Sequence, residues 1–118
     1  MKNARLLLFS FLSMAAAVSA SSASEAISIK EYVLNSSESV EKGEKTFNTS
    51  CALCHGHGGA GGQGRPLNNR SFEAERWFNT ISKGRTRGSK RMPPFESSLT
   101  ENQRWELIAY LKTLNDDH

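Results

Sequence analysis

The 118-residue sequence predicts a small all-α domain built on three main helices. Apolar residues recur at helical spacing in three stretches, each opened by a capping residue. No segment alternates apolar and polar residues as a half-buried strand does, and no repeat or second apolar block calls for another domain.

The first helix is expected over residues 39–49, in "SVEKGEKTFNTS". Ser39 is a fair N-cap, Glu41 favours the positive N-terminal end, and Val40, Gly43 and Phe47 share one side. "GHGGAGGQG" follows, with six glycines in nine residues, and reads as a loop. The second helix is expected over 72–83: Ser71 caps it, Ala74, Trp77, Phe78 and Ile81 form its stripe, and Lys83-Gly84 closes it. The third starts at Thr100, whose capping box with Gln103 is a sharp signal, and turns Leu107, Ile108, Leu111 and Leu114 inward.

Ahead of these elements, Lys2 and Arg5 precede an apolar run of 13 residues from Leu6 to Val18, and Val18-Ser19-Ala20 offers a small-residue cleavage site. That pattern reads as a secretory signal over 1–20, since a bilayer span needs roughly 20 apolar residues. A loose Ser/Ala-rich arm over 21–37 and a domain over 38–118 complete the expected organisation. Signal removal takes the net charge from +3 to +1, 13 basic against 12 acidic side chains, so the basic balance is no evidence for nucleic-acid binding. Residues 61–91 nonetheless carry 8 basic and 2 acidic side chains, a segment able to steer an acidic partner.

Three modest helices and a glycine-rich loop bury little apolar surface, and domains this small often need a disulfide, metal or cofactor. Cys51 and Cys54, the only cysteines, stand in "CALCHG". A disulfide between them closes too small a loop to stabilise much. A dithiol redox pair needs a βαβ context that is missing, and a zinc site would crowd Cys51, Cys54, His55 and His57 into seven residues. Covalent haem uses every feature. The two sulfurs lie one helical turn apart on one face, within reach of the two vinyl groups of a porphyrin, and His55 directly follows as an iron ligand. "GHGGAG" also fits a dinucleotide fingerprint, but it follows a cysteine pair rather than a strand. The three Asn-x-Ser/Thr sequons are expected by accident in a Ser/Asn-rich chain.

A second axial ligand must come from elsewhere in the chain. Met1 and Met14 fall in the signal, His57 is too close to His55, and His118 is a weak rival, which leaves Met92. Pro93 and Pro94 hold "RMPPF" extended, a stiff strap that can press a thioether onto a metal; a plain core role for Met92 is the alternative.

In "VEKGEKTF", "CALCHG", "RMPPF" and "ELIAYLKTL", in that order, the sequence resembles the class I c-type cytochromes over residues 39–115. The resemblance implies a small cytochrome c fold, with the three helices wrapped around one haem c attached through Cys51 and Cys54. It implies that Gly43 and Phe47 cross Leu107 and Tyr110, and that Leu67 packs on the porphyrin. It gives the Pro66 carbonyl the role of accepting the Nδ1 proton of His55, and puts Trp77 either near a haem propionate or in the core. The 37-residue spacing from His55 to Met92 suits compact bacterial members.

A six-coordinate His/Met iron has no open site and keeps its ligands in both oxidation states, and thioether ligation raises its potential. No nucleophile–base pair or carboxylate dyad is visible. The expected function is a monomeric, periplasmic one-electron carrier, between a dehydrogenase and a terminal acceptor, that docks acidic partners at Arg85, Arg87, Lys90 and Arg91. The alternatives are a five-coordinate haem enzyme or gas or redox sensor, and a fixed electron-transfer subunit of a periplasmic enzyme such as a quinoprotein alcohol dehydrogenase.

Overall fold

The computed structural model describes residues 30–116. The expected signal at 1–20, the first part of the expected arm and His118 lie outside the described residues.

Helix α1 spans Ser37–Ser50. Its cap is Ser36 rather than Ser39: Ser36 is extended and its hydroxyl accepts the Ser39 N–H at 3.4 Å. Ser39 lies inside the helix on the buried side with Gly43 and Phe47. The arm is not loose where it is described. Residues 30–35 are helical, Val33 is buried, and Lys30 pairs with Glu75 while its ammonium sits 4.7 Å from the Trp105 ring centroid. A buried apolar residue and a cation over an aromatic face are enough to dock a segment that composition alone marks as polar.

Helix α1 crosses the last helix, which is described below, at Gly43. A Cβ there would stand 2.0 Å from the Glu106 carbonyl oxygen, so only glycine permits the approach. One turn on, Phe47 packs on Tyr110 with ring centroids 5.3 Å apart. Phe47, Leu107 and Ile108 are wholly buried, and this crossing is the centre of the core. Helix α2, Ala52–His55, follows α1 after a one-residue break at Cys51, and a 3₁₀ turn covers His57–Gly59.

Helix α3 spans Ala74–Lys83, two residues shorter at its start than the pattern predicts. Glu73 is extended and caps nothing, and Phe72 is drawn out of the helix to pack on Trp77, 5.2 Å between centroids. Phe78 stacks on Trp105 at 4.0 Å, which joins α3 to the last helix. A short hairpin then appears that the sequence pattern did not announce: β1, Arg85–Arg87, pairs antiparallel with β2, Lys90–Met92. Three-residue strands are too short to show alternation, and the all-α class stands with this addition.

Helix α4, Glu101–Thr113, opens with the expected Thr100–Gln103 capping box. Its residues Glu106 through Leu111 are all buried, so it is packed all round rather than along a stripe. Just beyond it, buried Asn115 donates to the Leu67 and Leu111 carbonyls at 2.9 and 2.8 Å and accepts the Arg70 N–H at 2.7 Å. That side chain ties the loop carrying Leu67 to the end of α4.

Candidate haem site

The CALCH stretch is placed by the end of α1. The Cys51 N–H donates to the Phe47 carbonyl at 2.8 Å, and the His55 N–H returns to the Cys51 carbonyl at 2.9 Å. The motif is therefore one compact turn fixed to the core through Phe47. Cys51 is half-buried and Cys54 exposed, and they are not bonded to each other. Burial, and then the neighbouring Cys54, push the Cys51 thiol up to about 11. At neutral pH it is a protonated thiol, the opposite of the lowered value that a redox dithiol needs. Among the described residues no group of three or more His, Cys, Asp or Glu side chains is placed to hold a metal ion, which removes the cramped zinc arrangement.

The loop holds the His55 ring along its Nδ1 edge. Its Nδ1 lies 2.8 Å from the Arg65 carbonyl oxygen, and a Cβ on Gly64 would come within 2.8 Å of Nδ1 and Cε1. With Nδ1–H donating to that carbonyl, the tautomer is fixed and Nε2 keeps its lone pair free for a metal. The acceptor is Arg65, which corrects the expectation of Pro66. The Pro66 carbonyl turns instead to Arg70, whose Nη1 donates to it at 3.0 Å. The glycine-rich loop is itself bonded through: Gly61 N–H to the His55 carbonyl at 2.7 Å, Gly64 N–H to Cys54 at 2.7 Å, and Leu67 N–H to Gly59 at 2.8 Å.

Cys51, His55, Leu67 and Met92 line one open cavity of about 250 Å³. Its apolar wall comes from Phe47, Trp77, Ile81, Leu107 and Leu111. Its polar side holds Arg70, Arg76 and Arg85 against Glu73 as the single acid, with Ser71 and Thr80. Pro66 is exposed and does not line the cavity, and of the four expected docking cations Arg85 turns out to line it. Met92 ends β2, and the strap beyond it is held by Phe95 N–H to the Ile81 carbonyl at 2.9 Å and Glu96 N–H to Ser82 at 3.1 Å.

This donor set fits haem. Around one apolar wall it offers the Cys51 thiol, an imidazole with Nε2 free and a thioether, together with guanidinium groups suited to the carboxylates that a porphyrin carries; the Cys54 thiol stands exposed at the end of the same turn, outside the cavity lining. The family model described as "Cytochrome C oxidase, cbb3-type, subunit III" matches residues 38–111. The chain belongs to this family of c-type cytochromes.

Two curated relatives are the Cbb3-type cytochrome c oxidase subunit FixP of Sinorhizobium medicae (strain WSM419) and that of Rhizobium meliloti (strain 1021). The first is 34% identical over 120 residues, taking in 82% of this chain and 41% of the relative. The second is 34% identical over 102 residues, taking in 74% and 35%. The cytochrome thus spans well under half the length of either relative. Among solved structures, cytochrome cL of Methylophaga aminisulfidivorans MPT superposes with a TM-score of 0.61 over 87% of this chain and 72% of its own, at 24% identity, a likeness of fold. Cytochrome cL of Hyphomicrobium denitrificans gives 0.55 over 65% and 48%, at 30% identity. The cytochrome therefore has the small cytochrome c fold, carries haem c attached through Cys51 and Cys54, and works in electron transfer.

The sequence pattern does not single out Arg65, Gly64, Arg70, Arg76 or Asn115 for these roles. Arg70 and Arg76 lie in the basic segment, but a charge run carries no sign of which members turn inward. Asn115, directly after Leu114, the last expected apolar position of α4, carries a usable signal, because asparagine often terminates helices.

Proposed function

We propose that His55 Nε2 and the Met92 thioether would hold the haem iron, and that the cytochrome is an exported, periplasmic one-electron carrier whose domain begins near residue 38. The observation that carries this is the shared cavity: His55 and Met92 line it together with Cys51, although 37 residues separate them. The haem, once attached, supplies a one-electron iron couple. The chain's part is to hold both ligands still. His55 is pinned through Nδ1 and through Gly64, while the Met92 strap is anchored on the end of α3. Phe47, Leu107 and Leu111 keep water from the ligands, and a dry apolar wall favours the less charged ferrous state. Arg70, Arg76 and Arg85 are placed to offset the charge of the propionates.

The hairpin supports docking of acidic partners. Arg85, Arg87, Lys90 and Arg91 are all exposed, Arg87 stands directly opposite Lys90, and among the described residues no acid pairs with any of them. Like charges held face to face are unfavourable alone and are relieved by an anionic partner. The test of the ligand set is visible absorption of the holoprotein, oxidised, reduced, and reduced under carbon monoxide, beside Met92→Ala. A low-spin spectrum with a methionine–iron band that ignores carbon monoxide, both features lost in the variant, is expected. Carbon monoxide binding by the wild type would point to an enzyme or sensor.

A second reading is favoured by the family matched and by the FixP relatives, whose names make them oxidase subunits. The cytochrome would then be a fixed electron-transfer subunit. Among the described residues no helix is long and apolar enough to cross a membrane. Gel filtration of a native extract separates the two: a carrier elutes at its own size, a subunit with its complex.

A further inference from the structure

We infer that Gly84 is the positioning residue for Met92, a reading that rests on Met92 being the distal ligand. Helix α3 ends at Lys83, and Gly84 follows with φ 73°, in the left-handed region, its N–H donating to the Thr80 carbonyl at 2.8 Å. The Met92–Pro93–Pro94 strap lies directly on it. A Cβ at position 84 would stand 2.6 Å from the Met92 carbonyl oxygen, 2.8 Å from the Pro94 nitrogen and 2.9 Å from the Pro93 carbonyl carbon. All three are backbone atoms, so none can swing aside as the tip of a side chain can.

The strap has few other means of holding its place. Pro93 and Pro94 lack N–H groups, so its next backbone donors are Phe95 and Glu96, which bond the Ile81 and Ser82 carbonyls in the last turn of α3. On the other side β2 pairs Met92 with Arg85, the residue after Gly84. Between these two anchorages the height of the strap is set by contact with a bare backbone. Ser82 is in turn held by Arg104 of α4, which donates to its hydroxyl, so the seat itself is fixed to the core. A side chain at 84 therefore lifts the strap by its main chain, and the displacement reaches the Met92 sulfur without any change at Met92.

Gly88 supplies the control. It lies at the tip of the same hairpin with φ 57°, and a Cβ there meets nothing within 4 Å. Gly88→Ala thus carries the same kind of backbone penalty as Gly84→Ala but leaves the strap alone.

The experiment compares holoprotein of wild type, Gly84→Ala, Gly88→Ala and Met92→Ala by visible absorption and by carbon monoxide binding to the reduced form. Gly84→Ala is expected to lose most of the methionine–iron band and to bind carbon monoxide about tenfold or more faster than wild type, as overpacking a rigid contact implies. Gly88→Ala is expected to match wild type, and helical circular dichroism is expected to be unchanged in both. A Gly84→Ala protein with the wild-type band and no carbon monoxide binding overturns the inference. So does equal loss in Gly84→Ala and Gly88→Ala, which would assign the effect to strain rather than to the strap. If Met92→Ala leaves the wild-type spectrum unchanged, Met92 is not the ligand and both readings fall; if only Met92→Ala alters it, the ligand stands and Gly84 does not. Should Gly84→Ala not retain haem, Gly84→Asn places the same Cβ with a milder φ penalty and is judged by the same outcomes.

Discussion

On the His55 side of the cavity the chain is short, continuous and bonded at nearly every step. On the Met92 side it is an extended strap with two prolines, resting on a glycine and tied to the last turn of α3. From Cys51 to Leu67 the backbone bonds run among near neighbours, and His55 finds Arg65 only 10 residues on. Met92 stands 37 residues from His55 and owes its place to α3, to the hairpin and to the strap contact. A ligand held by local bonding is hard to dislodge without unfolding its loop. A ligand held by a seat can move while the fold persists. On the proposed ligand set, the cytochrome has one firm iron ligand, His55, and one adjustable ligand, Met92.

That asymmetry can be broken from either side. The largest effect is expected for Cys51→Ala with Cys54→Ala: covalent haem is lost, and with it the occupant of the cavity beside Phe47 and Leu107. Haem staining after denaturing electrophoresis should be negative and thermal melting should lose its cooperativity. His55→Ala should come next, severely lowering the yield of folded holoprotein, whereas Met92→Ala should keep haem and helix content and open the iron. Equal damage from the two would erase the distinction.

The crossing on which both sides depend is tested by Gly43→Ala. A Cβ 2.0 Å from the Glu106 carbonyl forces α1 off α4, and about 3 kcal/mol of destabilisation is expected in denaturant unfolding. Asn115→Ala removes three hydrogen bonds that tie the Leu67 loop to α4, and about 1–3 kcal/mol should be lost, with faster hydrogen exchange in that loop.

Smaller shifts sharpen the electrostatics. Arg76→Gln and Arg85→Gln each remove a positive charge from the cavity rim, so the ferric state gains and the reduction potential should fall by about 20–60 mV, the equivalent of roughly 0.5–1.4 kcal/mol. Lys90→Glu, on the exposed hairpin, should leave stability within about 0.5 kcal/mol, yet weaken both the rate of reduction by an acidic partner and its salt dependence.

What the sequence made legible follows the same division. Cys51, Cys54 and His55 are chemically distinctive and adjacent, so the attachment site needed no tertiary knowledge. Met92 is reached by elimination and by its prolines, and the crossing of Gly43 and Phe47 with Leu107 and Tyr110 only through the resemblance to class I c-type cytochromes. The Thr100–Gln103 cap was legible because both partners are local. The misplacements came where a tertiary contact overrode local chemistry. Ser36 took the cap expected of Ser39 because Ser39 is needed on the buried side, and Phe72 left α3 to meet Trp77. The residues around 33 belong to the arm expected to be loose, yet Lys30 sits over the Trp105 ring and Val33 is buried. The Pro66 assignment slipped by one residue because six neighbouring glycines leave no pattern from which to count, while the orientation of a carbonyl depends on the fold of the loop.

The most direct measurement is proton NMR of the reduced holoprotein. A methionine methyl held against the porphyrin face is shifted strongly upfield by the ring current. A single set of such resonances, absent from Met92→Ala and retained in Gly88→Ala, is expected if Met92 is the distal ligand. Upfield methionine resonances that persist in Met92→Ala, or that the wild type lacks altogether, would contradict it.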